Sequence, residues 1–194
     1  MKKIAILLAA LPLSACISFG AEPPDQLLTL NATAQVPVGQ TQNSANAKAI
    51  VVTVPVTSAS LAVQRVPVQA TATSIAYVKD AQWTEPPARL FARLLADTVT
   101  ARTNMVVLST VQSISDPSAT LAGELRRFGL DATRREAVVV YDAALTPAGK
   151  DNVVKRRFEA HVPITAIDAA NAGPALSTAA NQVAGDVATW VAAN

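Results

Sequence analysis

Apolar and polar positions change their spacing several times along the chain, and each spacing predicts an element. In ARLFARLLADTVTA (88–101) the apolar residues Leu90, Phe91, Leu94, Leu95 and Val99 recur at helical intervals, with Arg89, Arg93 and Asp97 on other faces. Pro86 and Pro87 open this helix, because proline is tolerated in a first turn, and Asn104 is its stop. A second amphipathic helix is predicted over 168–193, where Leu176, Ala180, Val183, Val187 and Trp190 form one stripe. It starts either at Asp168 or only after Gly173-Pro174. Strands are predicted at 49–56, with Pro55 at an edge or bulge, at 61–68 with Pro67 also edge-like, at 74–78 and at 105–111. Three consecutive strands follow at 120–130, 136–145 and 152–162, after an Asp116-Pro117 turn and with Pro147-Ala148-Gly149 turning between the last two. In the last strand Val154, Phe158, Ala160 and Val162 share one face while Lys155, Arg157, Glu159 and His161 share the other, as in a sheet with one wet side. The expected fold is α+β: a single domain with a mixed, mostly antiparallel sheet and two amphipathic helices packed on one face.

The first sixteen residues, MKKIAILLAALPLSAC, follow a different logic. Lys2 and Lys3 precede an apolar run from Ile4 to Leu13, about 15 Å long as a helix and too short to span a bilayer. This is the layout of a secretory signal peptide. It ends in Leu13-Ser14-Ala15-Cys16, the pattern of a bacterial lipobox. Small side chains let the backbone enter the signal peptidase, and the Cys16 thiol receives a diacylglycerol. After cleavage the Cys16 amine takes a further acyl chain such as palmitate. Two or three chains hold a protein stably at a membrane where one does not. Ile17 stands where an Asp would retain the lipoprotein in the inner membrane, which points to the inner leaflet of the outer membrane, periplasmic side. The expected layout is a signal peptide at 1–15, a lipidated N-terminus and tether at 16–48, and the α+β domain at 49–194. Within the tether, QLLTL (26–30) reads as a short docked strand, and QTQNSAN (40–46) as a loop.

Composition narrows the function. The chain has 194 residues, 51% hydrophobic and 15% charged, which excludes a disordered, charge-rich protein. Aromatic residues are only 4%, so the core rests mostly on Ala, Val, Leu and Ile. Without Lys2 and Lys3 the basic and acidic side chains balance, so no cationic surplus exists for nucleic acid. One Cys leaves no internal disulfide and no thiolate metal cluster, and one His makes most His-based catalytic and metal arrangements impossible. His161 lies among outward-facing charges and reads as a solvated surface histidine. Gly149-Lys150 lacks the earlier glycine and the following Ser or Thr of a phosphate loop. No catalytic residue, cofactor or metal site is expected.

One segment stands out: Tyr77-Val-Lys-Asp-Ala-Gln-Trp83-Thr-Glu-Pro86-Pro87, which joins a strand to the first helix. Two readings fit. The tryptophan plugs the edge of the domain, or Tyr77, Trp83, Pro86 and Pro87 form a partner-binding surface of aromatic anchors beside rigid backbone.

Taken together, the lipobox, this Tyr77…Ala-Gln-Trp83…Pro86-Pro87 segment, the Leu121-x-x-x-Leu125-x-x-Phe128 strand and the C-terminal helix with Trp190 resemble the auxiliary lipoprotein component of ABC-type transport systems. That family accompanies MCE-domain lipid transporters such as the Pqi type, and the resemblance covers about residues 25–192. It implies a non-enzymatic role on the outer membrane, with an MCE-domain subunit as partner, in a path for lipids or other hydrophobic molecules. The ATPase would be a separate chain, and a homo-oligomer stays open. The alternative is a lipoprotein that binds a small hydrophobic ligand or assists assembly of an outer-membrane machine. It predicts a sizeable apolar cavity.

Overall fold

A computed structural model describes residues 24–45, 47–108, 117–149 and 152–194. The elements run β1 (Ala49–Val52), β2 (Val56–Thr57), a 3₁₀ turn (Ala59–Leu61), β3 (Arg65–Thr71), β4 (Ser74–Gln82), α1 (Pro87–Arg102), β5 (Val106–Leu108), β6 (Ala119–Asp131), β7 (Glu136–Pro147), β8 (Val154–Pro163) and α2 (Ala169–Ala192).

The long strands β6, β7 and β8 form an antiparallel meander. On the free side of β6 the short strands line up in sequence order, all parallel to it: β1 beside 119–121, β2 beside 124–125 and β3 beside 130–131. β5 extends the sheet beyond β1 in parallel, and β4 extends it beyond β3 as a hairpin. The sheet is therefore mixed. The predicted strand over 49–56 is two pieces, interrupted at Thr53–Pro55, because Pro55 has no N–H to give to the ladder. Of the predicted strand over 105–111, residues 109–111 lie outside the described residues, as does Asp116 of the predicted turn.

The spacing Leu121, Leu125, Phe128, Leu130 breaks the two-residue period of a strand. A bulge resolves it: Leu125 pairs with Tyr141 and Arg127 with Val140, so Arg126 is the extra residue. After the bulge the even positions Phe128 and Leu130 turn inward, joining Leu121 and Leu125 in one core. Both helices lie on that inner face. α2 covers β7 and β8, α1 covers β1 and β5, and the two pack on each other. Small residues of α2, Ala172, Ala179, Ala180, Ala184 and Ala188, are fully buried and let the helix lie close. α2 takes the earlier of its two predicted starts: the Asp168 carboxylate accepts the Asn171 N–H at 2.9 Å, and Pro174 is carried inside the helix. Among the described residues no helix is long and apolar enough to cross a membrane.

Candidate functional site

The Tyr77–Pro87 segment begins in a bulge. Pro67 pairs with Tyr77 and Arg65 with Gln82, so β4 carries extra residues between them. Asp80 takes φ 55°, a left-handed conformation that Asp tolerates better than most residues. Val78 and Ala81 consequently turn into the core, while Lys79 and Asp80 are thrown outward, their charges 3.9 Å apart. The Arg65 guanidinium lies 4.1 Å over the half-buried Tyr77 ring, a cation–π contact.

Beyond the bulge the chain turns inward. The Trp83 N–H donates to the Gln64 carbonyl at 2.7 Å, and the indole is 0% exposed. Its ring meets Phe128 edge-on at 5.5 Å, Phe128 meets Phe91 at 6.3 Å, and Phe91 meets Tyr141 at 5.3 Å. In a chain with few aromatics this row forms the centre of the core. Trp83 Nε1 has no hydrogen-bond partner among the described residues. Pro87 is buried at the first helical position. Pro86 is half-exposed, and its carbonyl accepts the Arg89 N–H at 3.0 Å. Of the two readings of Trp83, the plug describes its side chain; as a surface anchor the indole is corrected, because its apolar area contributes most where water is excluded. The Pro87 ring is likewise inside. At the surface the segment offers Tyr77, Lys79, Asp80 and Pro86. Lys79 and Asp80 were not singled out in the sequence; a Lys-Asp pair between the apolar Val78 and Ala81 is the signal for the bulge.

Within the expected tether, the stretch around the QLLTL run lies against the domain. Leu28 makes a parallel bridge to Trp83: its N–H donates to the Gln82 carbonyl at 2.7 Å, and its carbonyl accepts from Thr84 at 3.0 Å. Leu30 and Ala32 are buried. The Asn181 side chain of α2 then clamps the segment. Its Oδ1 accepts from the Thr33 N–H at 2.8 Å, and its amide donates to the Asn31 carbonyl at 3.0 Å. Residues 28–33 thus form a strap over α2. The QLLTL run was legible; Asn181 as the clasp was not, because it lies 148 residues from Thr33, which it holds.

The outer sheet face is ionic. Asp142 accepts from Arg157 at 2.6 and 2.7 Å and from Arg126 at 3.4 Å, and the Arg157 hydrogen bond in particular holds its carboxyl below the usual carboxylate range. Asp131, capped by the Arg134 and Thr133 N–H groups and paired with Arg127, is also lowered, chiefly by the Arg134 N–H. His161 faces outward with Nδ1 2.8 Å from Glu136. A groove of about 740 Å³, open to solvent, runs over Val56, Gly123 and Ala144 between Arg126, Arg157 and Lys155. Its walls are charged, unlike the apolar cavity that the ligand-binding alternative predicts. Arg156 shares the register of Val154 and Phe158 rather than that of the outward set, and its guanidinium lies 5.0 Å over the Phe158 ring at the sheet edge. Cys16 and the predicted leader lie outside the described residues.

The fold recurs in solved proteins. A Xanthomonas campestris protein of the DUF330 family superposes with a TM-score of 0.72 at 18% identity, covering 87% of this chain and 95% of that one. A second crystal structure, of a protein described only as uncharacterized, gives a TM-score of 0.66 at 16% identity, covering 84% and 99%. At these identities the likeness concerns the fold alone. No functionally curated protein matches the chain. The model of one family, ABC-type transport auxiliary lipoprotein component, matches residues 28–188, from the Leu28 bridge to the last turns of α2. The chain therefore belongs to the ABC-type transport auxiliary lipoprotein family.

Proposed function

We propose that this protein is the outer-membrane-anchored, periplasm-facing lipoprotein of an MCE-type ABC transport system, acting as a docking or conduit subunit for lipids or other hydrophobic molecules. Membership of the auxiliary lipoprotein family carries this reading. The family description supports association with an ABC transport system, and an auxiliary rather than catalytic role is our reading of it. The outer membrane comes from Leu13-Ser14-Ala15-Cys16 followed by Ile17 rather than Asp. The MCE subunit and the hydrophobic cargo come from the resemblance of the Tyr77–Pro87 segment and its flanking elements to the Pqi-type lipoproteins.

In this reading the domain works as a rigid body. Its inner sheet face is filled by α1 and α2, so recognition falls to exposed groups. The bulged segment with Tyr77, Lys79, Asp80 and Pro86 is our choice for part of the partner contact. Trp83 and Pro87 set its shape from beneath.

Affinity isolation of the full chain from crosslinked envelopes is the test, with an MCE-domain protein as the expected co-purifying chain. Mass spectrometry of the N-terminal peptide should find a diacylated or triacylated Cys16, and Cys16→Ser should abolish sedimentation with outer membranes. An unmodified thiol, or a complex lacking any transporter subunit, would sink the proposal.

A further inference from the structure

The strap fixes where the tether joins the domain, and the tether is short. The Leu28 side chain sits so close to Gly173, in the first turns of α2, that a Cβ there would lie 2.8 Å from Leu28 Cδ2. Asn31 and Thr33 meet Asn181, eight residues and about 12 Å farther along the helix. The strap therefore runs from the start of α2 toward its end, and the preceding chain arrives at the pole where α2 begins. The same pole carries the start of α1 and the β6–β7 turn at 132–135, since Glu136 pairs with Pro163 just before α2. The β7–β8 turn and the C-terminus lie at the other pole. The twelve residues of β7 put the two poles about 40 Å apart.

From Cys16 to Leu28 is twelve residues, about 40 Å at full stretch and about 20 Å as a flexible chain. With the opposite pole against the bilayer the tether would be near its limit, at a large loss of chain entropy. With the α2-start pole there it stays relaxed. We infer that the pole where both helices begin faces the phospholipid surface holding the anchor, and that the opposite pole projects into the periplasm. This rests on the reading of Cys16 as the lipidated residue. Leu27 and Ile75, both about half-exposed, and Arg134 are on this membrane-facing pole. Three acids there are engaged, Asp131 with Arg127, Glu136 with His161 and Arg134, and Asp168 with Asn171, while Asp25 at the tether entry is exposed. Tether geometry, rather than net charge, sets the orientation.

The test uses the full lipidated protein in vesicles of phosphatidylethanolamine and phosphatidylglycerol. Thr133→Cys and Ala148→Cys, one at each pole, are labelled with a fluorophore and quenched by nitroxides on lipid headgroups. The label at 133 should be quenched several-fold more than that at 148. Inserting about twenty Gly/Ser residues between Pro24 and Asp25, which raises the flexible reach to about 30 Å, should bring the two toward equality. Equal or reversed quenching in the native-length protein, with the protein floating with the vesicles, overturns the orientation alone. A difference that persists in the lengthened chain overturns tether length as its cause. Failure to float overturns the anchor reading and the orientation with it.

Discussion

Replacing Trp83 separates a core role from a contact role. The indole is 0% exposed and packs edge-on against Phe128 at 5.5 Å. Truncation of such a side chain to alanine costs about 3–5 kcal/mol, against a total stability on the order of 5–15 kcal/mol for a domain. Phenylalanine keeps a ring against Phe128 and removes the buried Nε1, which has no partner among the described residues. A buried unpaired N–H costs about 1–3 kcal/mol, so its loss offsets part of the cavity that a smaller ring leaves. Trp83→Phe should therefore cost less than about 2 kcal/mol. Urea denaturation of the chain from residue 17 onward reads both variants. With a slope of about 2 kcal/mol per molar, Trp83→Ala should lower the midpoint by about 1.5 M or more, and Trp83→Phe by less than about 1 M. The folded Phe variant should still bind its partner, because the surface of the segment belongs to other residues. An unchanged midpoint for Trp83→Ala would refute the core assignment. A Trp83→Phe protein of near-native stability that no longer bound would return the indole to the interface.

Asn181→Ala should cost about 1–2 kcal/mol and raise hydrogen exchange at the Thr33 amide, which loses its acceptor at 2.8 Å; unchanged protection there would mean that the strap is held by Leu28 and Leu30 alone. Gly123→Ala should destabilise by about 1–3 kcal/mol or more, since the added Cβ would stand 2.3 Å from the Asp142 carbonyl oxygen and 2.7 Å from the Tyr141 ring; a wild-type melting curve would contradict that packing. The Asp142 carboxyl titrates lower when folded than its ordinary value of 3.8, so its contribution is present above that value and fades as pH falls through the folded one. Asp142→Asn should therefore flatten the acid limb of the stability profile below about pH 4, and an unaltered limb would show that the Arg157 pair is energetically silent.

Local patterns along the chain specified the kinds of elements and their order. Helical spacing marked α1, a one-face stripe marked α2, and strict alternation marked the faces of β8, because these periods are local properties of the backbone. The lipobox reading proposed for Leu13-Ser14-Ala15-Cys16 rests on a local pattern too, since a signal peptidase acts on an extended chain. Tertiary structure decided what depends on distant partners. Whether Trp83 pointed out or in was settled by Phe128, forty-five residues later, and by the bulge at Asp80 that aims the chain inward. The same holds for Arg126, where the misfit between Leu125 and Phe128 was visible but only pairing with β7 shows that the extra residue is bulged outward. The strap was half legible. Leu27, Leu28 and Leu30 were too apolar for a free tether, and of these Leu28 and Leu30 pack while Leu27 stays half-exposed; the polar clasp that fixes their direction sits on a helix at the far end of the chain. Periodicity names a face, and only the packed sheet determines what covers it.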